Sequence, residues 1–364
     1  MAVWNGTGFH SCVKMDRSRT ATSHYGQSCG RSIVTVLRHE FLHDGLDDLG
    51  HFSARPLGSR IAMPFAKETL ANYVTETIRG VVRAEVLDAA RSDGRLYREP
   101  RVFEDLLSSQ PLCFNLFGEL QQDLALASRT FQSLLDEPRL RVTAIEFKHS
   151  PGRGDPRFTN DGSAFDVFVS YARASGGNGF VGIEVKFVEN LDVPPARRRA
   201  RYDAVSDAMG VFLPENRGVL RSPPLEQIWR DHLLAGSLIL NAASGFERGS
   251  FAVVYPSGNT IVGAAVRAYG ACLRDRSTFH AWALEEMLAT IQTAGSGDWV
   301  REVRERSLFF APASSLRSST IDRRRRKRRV RNGRSSRRRS TRSKPGPSPR
   351  SPTALAAHRR ATTA

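Results

Sequence analysis

Apolar and polar positions divide the 364-residue chain into a patterned middle and two ends without a clear period. Residues 65–92, FAKETLANYVTETIRGVVRAEVLDAARS, repeat apolar side chains at helical spacing and predict a helix, broken or kinked near Gly80. Residues 108–137 predict another. Phe114, Phe117, Leu120, Leu124, Phe131 and Leu135 fall on one broad stripe, Pro111 suits the first turn, and Ser109 or Gln110 would cap it. Three strand-like runs follow: RVTAIEFKH (141–149), SAFDVFVSYARA (163–174) and FVGIEVKFVE (180–189). The glycine-rich SGGNG between the last two predicts a hairpin. A polar, basic helix after Pro194, a helix over 225–240 and a strand over 249–259 come next. STFHAWALEEMLATIQTA and DWVREVRERSLFF read as closing helices. This order is that of a layered α/β (α+β) domain, placed at 60–311. Residues 1–59 are expected to be a poorly ordered extension, and 312–364 a disordered tail rich in Arg, Ser and Pro.

Composition narrows the setting. A hydrophobic content of 40% is ample for a core. No apolar run approaches the roughly 18 residues of a membrane span, and the N-terminus lacks a signal-peptide pattern. Cys12, Cys29, Cys113 and Cys272 show no paired spacing, so reduced thiols and a cytoplasmic location are expected. The net charge of +17 belongs to one end: from Ala313 onward there are 18 basic residues and one acidic, leaving 36 of each before it. Such a tail suits non-specific, salt-dependent phosphate binding. Six lysines stand among 54 cationic residues, and one of them is Lys186. Lysine is a compact point charge where arginine is a delocalised fork.

The candidate chemistry lies in FVGIEVKFVE. Alternation by two puts Glu184 and Lys186 on one face of a strand, with Val181, Ile183, Val185 and Phe187 on the other. The hairpin brings Asp166 alongside. Two carboxylates at one point repel unless a cation lies between them. Mg²⁺ takes oxygen ligands, and Asp166, Glu184 and the Val185 backbone carbonyl could supply three. Lys186 could then orient a water or stabilise charge building on a phosphate. Arg153 and Arg157, in the loop between the first two strands, could hold backbone phosphates. A second Glu-x-Lys, Glu146-Phe147-Lys148, has no aspartate on a preceding partner strand. It leaves Glu146 as an extra acid near the site.

A competing motif is HEFLH (39–43), in which His39 and His43 would bind zinc and Glu40 would act as base of a metalloprotease. It lacks a third ligand at the extended spacing and sits in a weakly patterned segment.

Asp…Glu-x-Lys on a hairpin that follows a helix resembles the PD-(D/E)XK nuclease superfamily. SSQPLCFNLFGEL, IEFKHSPGRGDPRFTNDGSAFDVFV and GFVGIEVKFVE look like bacterial PD-(D/E)XK nuclease-like proteins of unassigned substrate. The resemblance spans roughly 60–311 and is strongest over 108–189. It implies a restriction-endonuclease-like mixed central sheet flanked by helices. It also implies Mg²⁺- or Mn²⁺-dependent hydrolysis of nucleic acid, DNA first, leaving a 5′-phosphate and a 3′-hydroxyl. Glu119, on the first core helix, would be a further acid of the metal site, and Gln227 an accessory residue on a later helix. A homodimer would serve double-strand cleavage. The alternative on the same fold is a nucleic-acid-binding protein without activity.

Overall fold

The computed structural model describes residues 49–52, 55–88, 90, 97–191, 199–295 and 297–308. β1 (Leu49–Phe52) and β2 (Arg55–Ile61) form a small antiparallel hairpin. The main sheet has five strands: β3 (Arg141–Phe147), β4 (Val167–Ala172), β5 (Asn178–Val185), β6 (Arg248–Tyr255) and β7 (Phe279–Ala283), in that spatial order. β3, β4 and β5 run antiparallel, while β5, β6 and β7 run parallel, so the sheet is mixed.

Two apolar clusters, one per face, hold the sheet between helices. Val167, Val169, Val181, Ile183, Val185, Ala252 and Val254 belong to one cluster. It extends into α3 (Ser109–Gln122), α4 (Leu124–Leu135), α8 (Leu284–Thr293) and α9 (Trp299–Leu308). Phe168, Phe180, Phe251 and Val253 belong to the other, with α5 (Ala200–Met209), α6 (Glu226–Leu240) and α7 (Thr260–Ala271). In β3 the register shifts between Val142 and Ala144. That irregularity lets Val142, Ile145 and Phe147 all join the first cluster. The same logic fixes β5. A one-residue slip would turn Ile183 and Val185 out of the core and Glu184 into it. Gly182 is required by close approach, since a Cβ there would lie 2.4 Å from the Phe165 ring.

The expected order of elements holds, with four local corrections. The first helical region is not broken at Gly80. It ends at α1 (Met63–Thr69) with Leu70 in the left-handed region, and restarts at α2 (Glu76–Val82). Thr75 caps α2 by accepting from the Ile78 N–H, and Gly80 lies inside it. The second region divides at Asp123, whose side chain caps α4 through the Leu126 N–H. Its leading cap is Ser108, whose hydroxyl accepts from Gln110 N–H, rather than Ser109 or Gln110. Residues 277–294 are not one helix. Phe279–Ala283 add the parallel edge strand β7, favoured by Phe279 and Trp282, before α8 begins. Among the described residues no helix is long and apolar enough to cross a membrane.

Candidate active site

β4 and β5 set the site through their register. Val167 faces Ile183, and one further step outward sets Asp166 opposite Glu184. The regular ladder stops there. Asp166 Oδ2 accepts the Val185 N–H at 2.9 Å, so a side chain replaces a backbone acceptor. A residue's N–H and C=O leave the same edge of a strand, so the Val185 carbonyl lies on the side of Asp166. Lys186 stays in line through its N–H to the Val254 carbonyl, 2.9 Å.

α6 closes the other side. Gln227, in its first turn, touches both members of the Glu184–Lys186 pair. Lys186 Nζ lies 2.7 Å from Glu184 Oε1. The Gln227 amide donates to Glu184 Oε1 at 2.8 Å and accepts from Lys186 Nζ at 3.1 Å. This orientation of the amide satisfies carboxylate and ammonium together. About one turn further along the same face stand Arg230 and Asp231. Arg230 is held by Glu226 at 3.2 Å and lies 3.8 Å from Asp231.

The loop between β3 and β4 forms a third wall, and Asp161 orders it. Its carboxylate accepts from Thr159 Oγ1 (2.8 Å), the Ser163 N–H (3.0 Å), Ser163 Oγ (2.8 Å) and the Tyr202 hydroxyl (2.5 Å). Arg201 donates to the Phe158 and Arg157 carbonyls at 2.8 and 2.9 Å, fastening the loop to α5. The result is a cavity of about 190 Å³ lined by Lys148, Gly162–Ala164, Asp166, Glu184, Gln227, Arg230 and Asp231. A cavity of similar size, at the end of α5, is remote from this chemistry.

Lys148 is the cation that sequence reasoning passed over. Its Nζ forms an ion pair with Asp166 Oδ1. Burial works against charge on Lys148, but the Asp166 and Glu184 carboxylates outweigh it and hold its pKa above the ordinary lysine range. Burial likewise opposes ionisation of Asp166. Lys148, the Val185 N–H and Lys186 overcome that, so its carboxyl lies below the usual range. Glu184 goes the other way: burial and the Asp166 charge raise its pKa despite Lys186 and Lys148. Burial raises Asp231 well above an ordinary aspartate.

The sequence-selected residues divide accordingly. Asp166, Glu184 and Gln227 line the cavity, and Lys186 stands just behind them, bonded to Glu184 and Gln227. Glu119 does not line it, and its carboxylate accepts from the Thr75 hydroxyl at 2.5 Å. Glu146 stands apart too, 3.3 Å from His149 Nδ1. Arg153 is exposed, and Arg157 is bound to Asp155 at 2.6 Å. Asp231 and Arg230 were legible only as the i+4 and i+3 neighbours of Gln227 on one helix face. His39, Glu40 and His43 lie outside the described residues, as does the basic tail.

The donor set suits a hard cation. Asp166 and Glu184 offer oxygen alone, and the Val185 carbonyl leaves the same strand edge. Among the described residues no three His, Cys, Asp or Glu side chains are grouped to hold a metal ion, so carbonyl and water oxygens would complete its shell. A family model described as the PD-(D/E)XK nuclease superfamily matches residues 15–308. No curated protein and no solved structure matches the chain.

Proposed function

The chain belongs to the PD-(D/E)XK nuclease superfamily, and we propose that Asp166, Glu184 and Lys186 form a working site that hydrolyses nucleic-acid phosphodiesters, DNA foremost. The observation that carries this reading is the meeting of the two carboxylates across β4 and β5, with Lys186 bridged to Glu184 by Gln227. Asp166, Glu184 and the Val185 carbonyl would hold Mg²⁺ or Mn²⁺. A bound divalent ion polarises a phosphate and lowers the pKa of an attacking water.

The chain's own residues supply the rest. Lys186 donates toward the attacking water or the phosphoryl oxygens, where negative charge grows in an in-line displacement that leaves a 5′-phosphate and a 3′-hydroxyl. Gln227 keeps the Lys186 ammonium and the Glu184 carboxylate in fixed relation. Arg230, oriented by Glu226, presents a guanidinium fork suited to a phosphate beside the scissile one. Arg153 reaches the backbone further out. Basic residues beyond Ala313 add attraction that falls with salt.

A second reading, binding without cleavage, draws on the Lys148–Asp166 pair, which balances the carboxylate with no added cation. One experiment separates the two. Plasmid, linear duplex, single-stranded DNA and RNA are each digested in Mg²⁺ or Mn²⁺ by wild type, Asp166→Ala and Lys186→Ala. Cleavage by wild type alone supports the nuclease. Equal cleavage by all three, or binding with no cleavage by any, rejects it.

A further inference from the structure

Three features single out Lys148. It is one of six lysines in a chain with 48 arginines, and with Lys186 it makes two of the six at one pair of carboxylates. Its backbone is in the left-handed region, φ 50°, which costs a non-glycine residue on the order of 1 kcal/mol. Hydrogen bonds on either side hold it there: Lys148 N–H to the Asp166 carbonyl (3.0 Å) and Phe165 N–H to the His149 carbonyl (2.9 Å). The main chain is thus anchored while the side chain keeps a flexible stem.

Asp166 has two oxygens, and both are occupied. Oδ2 takes the Val185 N–H, a backbone group fixed in the sheet. Oδ1 takes the Lys148 ammonium. A divalent ion reaching for this carboxylate meets one partner that cannot move and one that can. Charge points the same way. Asp166 and Glu184 are balanced by Lys148 and Lys186 before any metal arrives. A dication added with both lysines retained gives the site two excess positive charges, matched to a phosphodiester whose negative charge rises toward two in the transition state.

We propose that Lys148 is an exchangeable counter-ion: it occupies Asp166 Oδ1 in the metal-free protein and yields that oxygen to a divalent cation, freeing its ammonium for a substrate phosphate. Lys148 is therefore a positioning residue for Asp166 first and a phosphate ligand second. This rests on the assignment of Asp166 and Glu184 as the cation site.

The test is Mn²⁺ binding by calorimetry to wild type, Lys148→Met and Asp166→Asn, with no substrate present. Removing the competitor is expected to tighten Mn²⁺ binding on the order of tenfold or more, as deletion of an adjacent like charge does. A wild-type measurement stands beside it. Trace reductive methylation, read by mass spectrometry, reports how freely each lysine reacts. Mg²⁺ is expected to raise labelling at Lys148 several-fold and leave Lys67 unchanged. Unchanged or weaker Mn²⁺ binding by folded Lys148→Met, or unchanged Lys148 labelling, overturns the exchange while Asp166→Asn still weakens Mn²⁺ binding. If Asp166→Asn binds Mn²⁺ as wild type does, the cation site itself is wrong and the exchange falls with it.

Discussion

The chain writes Glu-x-Lys twice on one sheet, and the two copies behave differently. At 184–186, the glutamate and the lysine are within 2.7 Å of each other and share Gln227. At 146–148, the pair parts: Lys148 enters the cavity to meet Asp166, and Glu146 turns to His149. The spacing is identical, so spacing is not what makes a site. β5 is central, flanked by β4 and β6, and its Lys186 remains within the ladder. β3 is the sheet's edge, and its chain leaves the strand at Lys148 through a left-handed residue. A central strand delivers both side chains of the motif to one place, whereas an edge strand that turns away delivers one.

Direct perturbation of the two copies should separate them most. Asp166→Ala and Lys186→Ala are expected to lower metal-supported cleavage on the order of 10³-fold in a single-turnover assay, since each removes charge where the reaction develops it. Retained activity in both would mean that the 184–186 copy is structural. A smaller loss, roughly 10–100-fold, is expected for Gln227→Ala, which leaves Glu184 and Lys186 in place without their shared amide. Its metal affinity and rate should both fall. A change in thermal stability alone would assign Gln227 to the scaffold.

The contrast between site and scaffold also runs through neighbours on α6. Asp231 lines the cavity, while His232 is fully buried on the other side, bonded to Tyr269 Oη (2.8 Å) and Thr278 Oγ1 (3.0 Å). Burial, helped by the His280 charge, pushes the His232 pKa down to about 3. Between that value and about 6.5 the unfolded chain binds a proton that the folded chain refuses. Stability therefore falls on acidification through this window, by about 2 kcal/mol from pH 7 to pH 5 for this group. Urea unfolding at the two pH values measures it, and His232→Gln should remove that share of the slope. An unaltered slope would mean that His232 is charged or solvated when folded. The smallest effect belongs to the other copy's acid. Glu146→Ala is expected to leave the cleavage rate unchanged, and a loss comparable to that of Lys186→Ala would erase the distinction between the copies.

Much of this was legible in the sequence because it depends on short-range periodicity. The alternation in FVGIEVKFVE and the SGGNG turn suffice to place Asp166 beside Glu184. What stayed hidden depends on long-range pairing or on backbone exceptions. Residues 277–294 hold a helical pattern in their second half, and only pairing with β6 makes Phe279–Ala283 a strand. The division at Asp123 follows from a capping side chain inside an unbroken apolar stripe. Lys148 is hidden in the sequence because its partner, Asp166, lies on the strand that follows its Glu-x-Lys, whereas the 184–186 copy has that aspartate on the strand before it. Asp231 and Arg230 needed the docking of α6 over the hairpin. Glu119, attractive by its place on the first core helix, is drawn instead to Thr75.

The central claim is that the copy on β5, with Asp166, builds the cation site. Anomalous diffraction from crystals grown with Mn²⁺ tests it most directly. The account predicts a manganese peak about 2.1 Å from a carboxylate oxygen of Asp166 and one of Glu184, beside the Val185 carbonyl. A peak bound instead by Glu146 or Glu119, or none at Asp166 in Mn²⁺-saturated crystals, would contradict it.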